Sequence, residues 1–152
     1  LSKELFDEIK DKNNNVKFCQ MFCEQFEKIR NKDCLKNYGL FVVPSSTAGK
    51  WNRKLTDYIV PTLVKNIGFI DCSKYIVRHT THRKQAFGGN RSVESNLATI
   101  GLQYALPKHM KGAVIIDDIT TTGNIFEACR QVLLKQGMKN ENILCVAIAG
   151  TV

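Results

Sequence analysis

Apolar side chains recur at helical spacing along the first part of the chain, then give way to short solid runs separated by helical stretches. Leu5, Phe6 and Ile9 share one face of a helix predicted over residues 1–12, which three asparagines at 13–15 interrupt. Cys19, Phe22, Cys23, Phe26 and Ile29 mark a second helix, and residues 31–39 are polar and turn-rich. Residues 40–43 (LFVV) then read as a strand ended by Pro44 and followed by the small-residue loop 45–49. Leu55, Tyr58, Ile59 and Leu63 predict a helix that Pro61 should kink or restart. Residues 75–77 (YIV) make a second strand, and a basic, glycine-containing loop over 78–90 leads to a helix carrying Leu97, Ile100 and Tyr104, with Ser92 as its N-cap. Residues 113–116 (AVII) form a third strand that runs into Asp117 and Asp118. The helix after Gly123 carries Ile125, Phe126, Cys129, Val132 and Leu133 and should stop at Gly137, before a last apolar strand over 143–149.

Strands that are almost wholly apolar and alternate with helices predict an α/β fold: an open, mostly parallel twisted sheet with helices on both faces. Two N-terminal helices precede it, so the chain divides into a helical segment over 1–38 (a hood, an arm or a docking surface) and an α/β core over 39–152. In such sheets ligands bind beyond the carboxyl ends of the strands, which selects the loops after Val43, Val77 and Ile116. At 152 residues and 43% apolar the chain suits a globular protein with one sizeable core. No apolar run approaches the roughly 20 residues that span a bilayer, and no basic start leads into an apolar signal segment, so a cytoplasmic protein without a membrane partner is the simplest expectation.

Formal net charge is +8, which favours anionic partners, either phosphorylated small molecules or nucleic acid. Part of the excess falls in one segment, with Lys74, Arg78, Arg83, Lys84 and Arg91 beside His79 and His82. None of the six cysteines sits in a C-x-x-C pair, so most of them read as small buried hydrophobes in a reducing compartment rather than zinc ligands or a redox pair.

The loop after the third strand carries the most coherent chemistry. In the run 114–123 (VIIDDITTTG) two acids precede Thr120, Thr121, Thr122, Gly123 and Asn124 at a helix start. A helix start offers unpaired N–H groups and a positive dipole end to a phosphate, and Gly123 allows close backbone approach. Asp117 and Asp118 suit vicinal ribose hydroxyls, or can orient a hydrated Mg²⁺. Phosphate donors at one end and diol acceptors at the other describe a ribose 5-phosphate; the plainer alternative is an acidic strand end followed by a helix cap. The loop 44–50 (PSSTAGK) is a poor nucleotide-triphosphate loop, because Pro44 stands for its first glycine and Trp51 for its Mg²⁺-binding hydroxyl. The basic segment 78–91 suits a loop that closes over an anionic leaving group, with Arg78, Arg83 and Lys84 as its catalytic charges, or equally a solvated or nucleic-acid-binding face.

Residues 114–124 resemble the phosphoribosyl pyrophosphate motif of type I phosphoribosyltransferases. The resemblance implies that Asp117 and Asp118 hold the ribose hydroxyls while residues 120–124 wrap the 5-phosphate. It also implies that Ser45, Ser46, Thr47 and Gly49, with Lys50 for charge, bind the pyrophosphate, often through a non-proline cis peptide in that family. Ile125 departs from it, since the family usually has Thr or Ser there. Arg78, Thr81, Gln85 and Asn96 are similar to a pattern in the competence-associated (ComF-like) branch, whose N-terminal zinc module has no counterpart here.

Two expectations follow. One is a Mg²⁺-dependent phosphoribosyltransferase that binds phosphoribosyl pyrophosphate, passes the phosphoribosyl group to a nitrogenous acceptor and releases pyrophosphate. The other is a regulatory module that binds phosphoribosyl pyrophosphate or a nucleotide monophosphate without turnover, as part of a nucleic-acid-processing complex. A homodimer and a place in a larger assembly fit either one.

Overall fold

The computed structural model describes residue 24 and residues 32–81, 92–120 and 122–150. The helices expected over the first 38 residues fall largely outside that set; within it, a short helix α1 (Lys32–Leu35) stands where a polar turn was expected. Strand β1 (Tyr38–Val42) follows, then a π-helical turn over Leu55–Ile59 that runs into α2 (Val60–Ile67). The π turn answers the Pro61 problem. The Val60 N–H reaches back five residues to Leu55 O, and Pro61, which has no N–H to donate, follows directly where the wider turn gives way to α2.

After α2 come β2 (Ile70–Asp71), β3 (Ile76–Arg78), α3 (Val93–Leu97), β4 (Ile100–Leu102), β5 (Gly112–Thr120), α4 (Asn124–Lys135) and β6 (Ile143–Gly150). Ser92 caps α3 as expected, its side chain accepting from the Ser95 N–H at 3.1 Å. Gly137, at φ 91°, ends α4 in a Schellman turn: its N–H bonds Leu134 O, and the Met138 N–H bonds Leu133 O.

The main sheet has four strands in the order β2-β1-β5-β6, every neighbouring pair parallel. Its members differ from the predicted set in one respect. The apolar run near residue 76 does not join it, and the two-residue β2, too short to announce itself, does. β3 instead pairs antiparallel with β4 in a separate ribbon, Arg78 opposite Ile100. The helix expected to carry Leu97, Ile100 and Tyr104 is therefore only α3. The Thr99 hydroxyl bonds the Asn96 carbonyl at the end of α3, and Ile100 and Gly101, poor helix formers, continue as strand.

Alternation along the central strands sorts the core into two layers. Leu40, Val42, Val114 and Ile116 pack with Leu55, Ile59, Leu63 and Ile67 on one face. Phe41, Val43, Ala113 and Ile115 pack with Phe126, Cys129, Val132 and Leu133 on the other. Helices thus cover both faces, as in an open α/β sheet. The chain leaves β1 for α2 on one face and returns at β2; it leaves β5 for α4 on the opposite face and returns at β6. The adjacent carboxyl ends of β1 and β5 are therefore a topological switch point, the place where open α/β sheets characteristically form a ligand crevice. Among the described residues no helix is long and apolar enough to cross a membrane.

Close packing at the start of β5 and conformation at the end of α4 should respond differently to one added methyl group. A Cβ at Gly112 would sit 2.5 Å from the Asn142 carbonyl oxygen and from the Tyr38 ring, whereas one at Gly137 would meet nothing within 4 Å. Gly137→Ala is expected to lose about 1 kcal/mol, the cost of a left-handed residue with a side chain. Gly112→Ala should lose more, about 2–3 kcal/mol, because backbone must move. Urea melts of the two variants check the order, and equal losses would refute it.

Candidate functional site

The three loops selected from the sequence are joined by specific bonds. The loop after β1 closes on itself: Pro44 and Trp51 form an isolated antiparallel bridge, and the Ser45 N–H donates to Lys50 O at 2.9 Å. The Lys50 N–H returns to Thr47 O, and the Thr47 N–H bonds the Ser45 hydroxyl at 3.2 Å. Its tip docks on the end of β3 and the residues after it. The Gly49 N–H donates to Arg78 O at 2.9 Å, and the Ala48 N–H to the Thr81 hydroxyl at 3.2 Å. The N–H groups of residues 45 and 47–50 are thus all engaged within the protein, which is unlike a phosphate-cradling loop. Lys50 and the Ser46 and Thr47 side chains are exposed there. No peptide bond among the described residues is cis.

Arg78 belongs to β3 and is only 3% exposed, so within the basic segment it is an anchor rather than part of a moving flap. Its Nε donates to Ser45 O at 3.0 Å, Nη1 to the Thr99 hydroxyl at 2.5 Å and Nη2 to Asn96 Oδ1 at 3.2 Å. Burial lowers its pKa, and three neutral acceptors keep the guanidinium solvated in place of water. One side chain therefore ties the loop after β1, the β3–β4 ribbon and α3 together. Arg83 and Lys84, the other charges expected here, lie outside the described residues.

The acid pair sits at the carboxyl end of β5, still within the strand. β5 continues through it to Thr120 because β6 supplies ladder partners, Ala147 for Asp117 and Gly150 for Thr120. Successive strand residues point to opposite faces. Asp118 follows Ile116 to the side of the helical stretch after β1, where Asn52 Nδ2 donates to its Oδ2 at 2.8 Å. Asp117 follows Ile115 to the α4 side; there Cys129 is pushed far up by burial, with smaller contributions from Cys145 and Asp117. Asp117 Oδ1 accepts the Asp118 N–H at 2.8 Å. Burial first, then a side-chain hydrogen bond and the charge of its neighbour, push the Asp117 carboxyl up to about 8.

Beyond the strand, the side chain of Thr120 and all of Thr121 lie outside the described residues. Gly123, at φ 76°, is the N-cap of α4, and the Asn124 N–H bonds the Thr122 hydroxyl at 3.3 Å. Ile125, where the family pattern has a hydroxyl, packs half-buried against the α4-side core, so that position holds the helix down. Among the described residues no three acidic, His or Cys side chains converge. The two carboxyls supply part of an octahedral Mg²⁺ shell, and water and ligand oxygens would have to complete it. Of the cysteines, Cys72 and Cys129 are buried free thiols, Cys145 is half-buried and Cys34 exposed, so the expectation of buried hydrophobes holds for some of them only. Cys19 and Cys23 lie outside the described residues. Asn52 and Thr99 carry site contacts that the sequence reading did not single out; the one signal at Asn52 was an asparagine at a helix start.

Two outcomes follow from this geometry. Replacing Arg78 with Met removes three charged hydrogen bonds and leaves Ser45 O and Asn96 Oδ1 without that donor; a loss of about 2–4 kcal/mol is expected in chemical denaturation. For Asp117 the sign is set by its raised pKa. The folded state holds a proton that the unfolded chain releases near pH 4, so this stability is full below that pH and is lost as pH rises through about 8. Asp117→Asn, which cannot ionise, should therefore gain in Tm over the parent protein as pH goes from 5 to 8.5, and parallel Tm curves would count against a protonated acid at this place.

No family model matches the chain, and no curated protein matches it, so the likeness to type I phosphoribosyltransferases stands on the residues of β5 and the loop after it alone.

Proposed function

We propose that the crevice between β1 and β5 binds phosphoribosyl pyrophosphate or a nucleotide monophosphate, and that the protein is a Mg²⁺-dependent phosphoribosyltransferase. The observation that carries this reading is the position of the acid pair: Asp117 and Asp118 end β5 at the switch point, beside the loop that leaves β1 and before the N-terminus of α4. A ribose set against the carboxyls puts its 5-phosphate near Thr122, Gly123 and Asn124, at the positive end of the α4 dipole. Its anomeric substituent then points toward the loop after β1, where Ser46, Thr47 and Lys50 offer hydroxyls and a positive charge to a pyrophosphate. Asp117 and Asp118 would hold Mg²⁺ through water, with the ligand's own oxygens, and the ion would neutralise charge on that pyrophosphate. The protein's part is to hold the reacting centre in line and stabilise the charge leaving it.

A second reading, binding without turnover, is favoured by two details. The N–H groups of the loop after β1 are already engaged, and Ile125 replaces a phosphate hydroxyl with a core contact. Titration calorimetry with phosphoribosyl pyrophosphate and Mg²⁺ tests the shared part. Binding is expected, and Asp117→Asn combined with Asp118→Asn should weaken it by about a hundredfold, the worth of one or two charged hydrogen bonds. Equal affinity in the two proteins, or none in either, would end the ribose-phosphate assignment. Pyrophosphate release across a panel of nitrogenous bases then separates the readings: release supports transfer, and silence with binding intact supports the regulatory module.

A further inference from the structure

We infer that Asn52 is a positioning residue of this site, holding the Asp118 carboxylate in one orientation and coupling it to the loop after β1; the inference rests on the ribose-phosphate reading above. Asn52 follows the closed loop directly and begins the helical stretch that leads to α2. Its Oδ1 accepts the Lys54 N–H at 3.0 Å, and its backbone carbonyl accepts from the Leu55 and Thr56 N–H groups. That cap decides which way the amide faces. With Oδ1 committed to a backbone donor, the NH₂ group must turn outward, and it donates to Asp118 Oδ2 at 2.8 Å across 66 residues of sequence.

The consequence is geometric. A carboxylate has two oxygens and a soft terminal torsion, so without an outside partner it samples many orientations about that bond. Engaging Oδ2 from the side of α2 selects one orientation of the carboxylate relative to the loop after β1. The same amide lies one residue beyond Trp51, which closes the loop against Pro44 and whose indole Nε1 donates to Ile76 O at 3.0 Å. The end of a ligand on the loop and the end on the carboxylate thus meet the same short rigid segment. An aspartate in place of Asn52 would cap the helix equally well but would face Asp118 with an acceptor, so the amide is the chemistry the second contact requires.

Asn52→Ser separates the two jobs, because Ser caps a helix about as well as Asn but is too short and of the wrong geometry to hold Asp118. The expected result is a Tm close to that of the parent, with affinity for phosphoribosyl pyrophosphate and Mg²⁺ reduced about tenfold and affinity for pyrophosphate alone unchanged. Asn52→Ala should show the same affinity loss together with a lower Tm. Parent-like affinity in Asn52→Ser, or equal weakening toward both ligands, would overturn the inference. A Tm loss in Asn52→Ser matching that of Asn52→Ala, with affinity intact, would make Asn52 a cap only. A ligand-free measurement keeps this distinct from the reading beneath it: the Asn52 side-chain amide resonance should move in Asp118→Ala. If it moves and the parent protein does not bind the ligand, the ribose-phosphate reading fails while the Asn52–Asp118 contact stands; if it does not move, the positioning role falls.

Discussion

The parallel pairing of β1 with β5 is the constraint on which the rest of the molecule depends. Five residues of β1 align with Gly112 through Ile116, and the side chains of this pair, alternating up and down, found both layers of the core. Two parallel strands cannot be joined by a tight turn, so each sends the chain out through a loop and back along a helix. Because the helices leave for opposite faces, the loops start out in different directions, a direct product of strand order. Chemistry placed at the end of β5 stands where the two loops begin, and Asp117 and Asp118 are half-buried there.

Much of this was legible from residue pattern, and where it was not the reason is physical. The solid apolar runs at 40–43 and 113–116 correspond to buried strands, because a strand covered on both faces tolerates few polar positions, and the run at 143–149 is the edge strand β6, half-buried over Leu144–Ala147. β2 left no pattern, since two residues have no period. The β3–β4 ribbon was misassigned on its second strand: Leu97, Ile100 and Tyr104 fit a helical spacing, but Gly101 and the branched Ile100 favour extended backbone. The acid pair and Gly123 were readable as a candidate site because their chemistry lies in adjacent residues. Asn52 was not, because its partner is distant in sequence and a helix-start asparagine already has a sufficient local explanation. Arg78 looked like a mobile positive charge for a similar reason, as a basic stretch does not reveal which of its members is buried.

The site is electrostatically uneven. The whole chain carries a net charge of +8, yet the crevice ends on two adjacent carboxyls, one of them driven toward its neutral form by burial. A buried guanidinium stands on the same side of the sheet as that acid, near enough to Cys129 for both to act on its thiol. A net positive charge favours anions over the molecule in general, whereas the carboxyl pair favours hydroxyl donors at one point. A ligand with phosphate at its ends and a diol in the middle matches this distribution.

The loop between Pro44 and Trp51 adds a kinetic dimension. With the Ser45, Thr47, Ala48, Gly49 and Lys50 N–H groups already bonded, an anion bound as proposed would meet first the Ser46 and Thr47 side chains and the Lys50 ammonium. Recruiting backbone donors would mean opening the Ser45–Lys50 closure and freeing the tip from Arg78 O and Thr81. An encounter that stops at the side chains can proceed near the electrostatically assisted rate, whereas one that goes on to the backbone is gated by the loop's own opening. Two phases of association, the slower one independent of ligand concentration, are the signature such a closed loop would impress on binding.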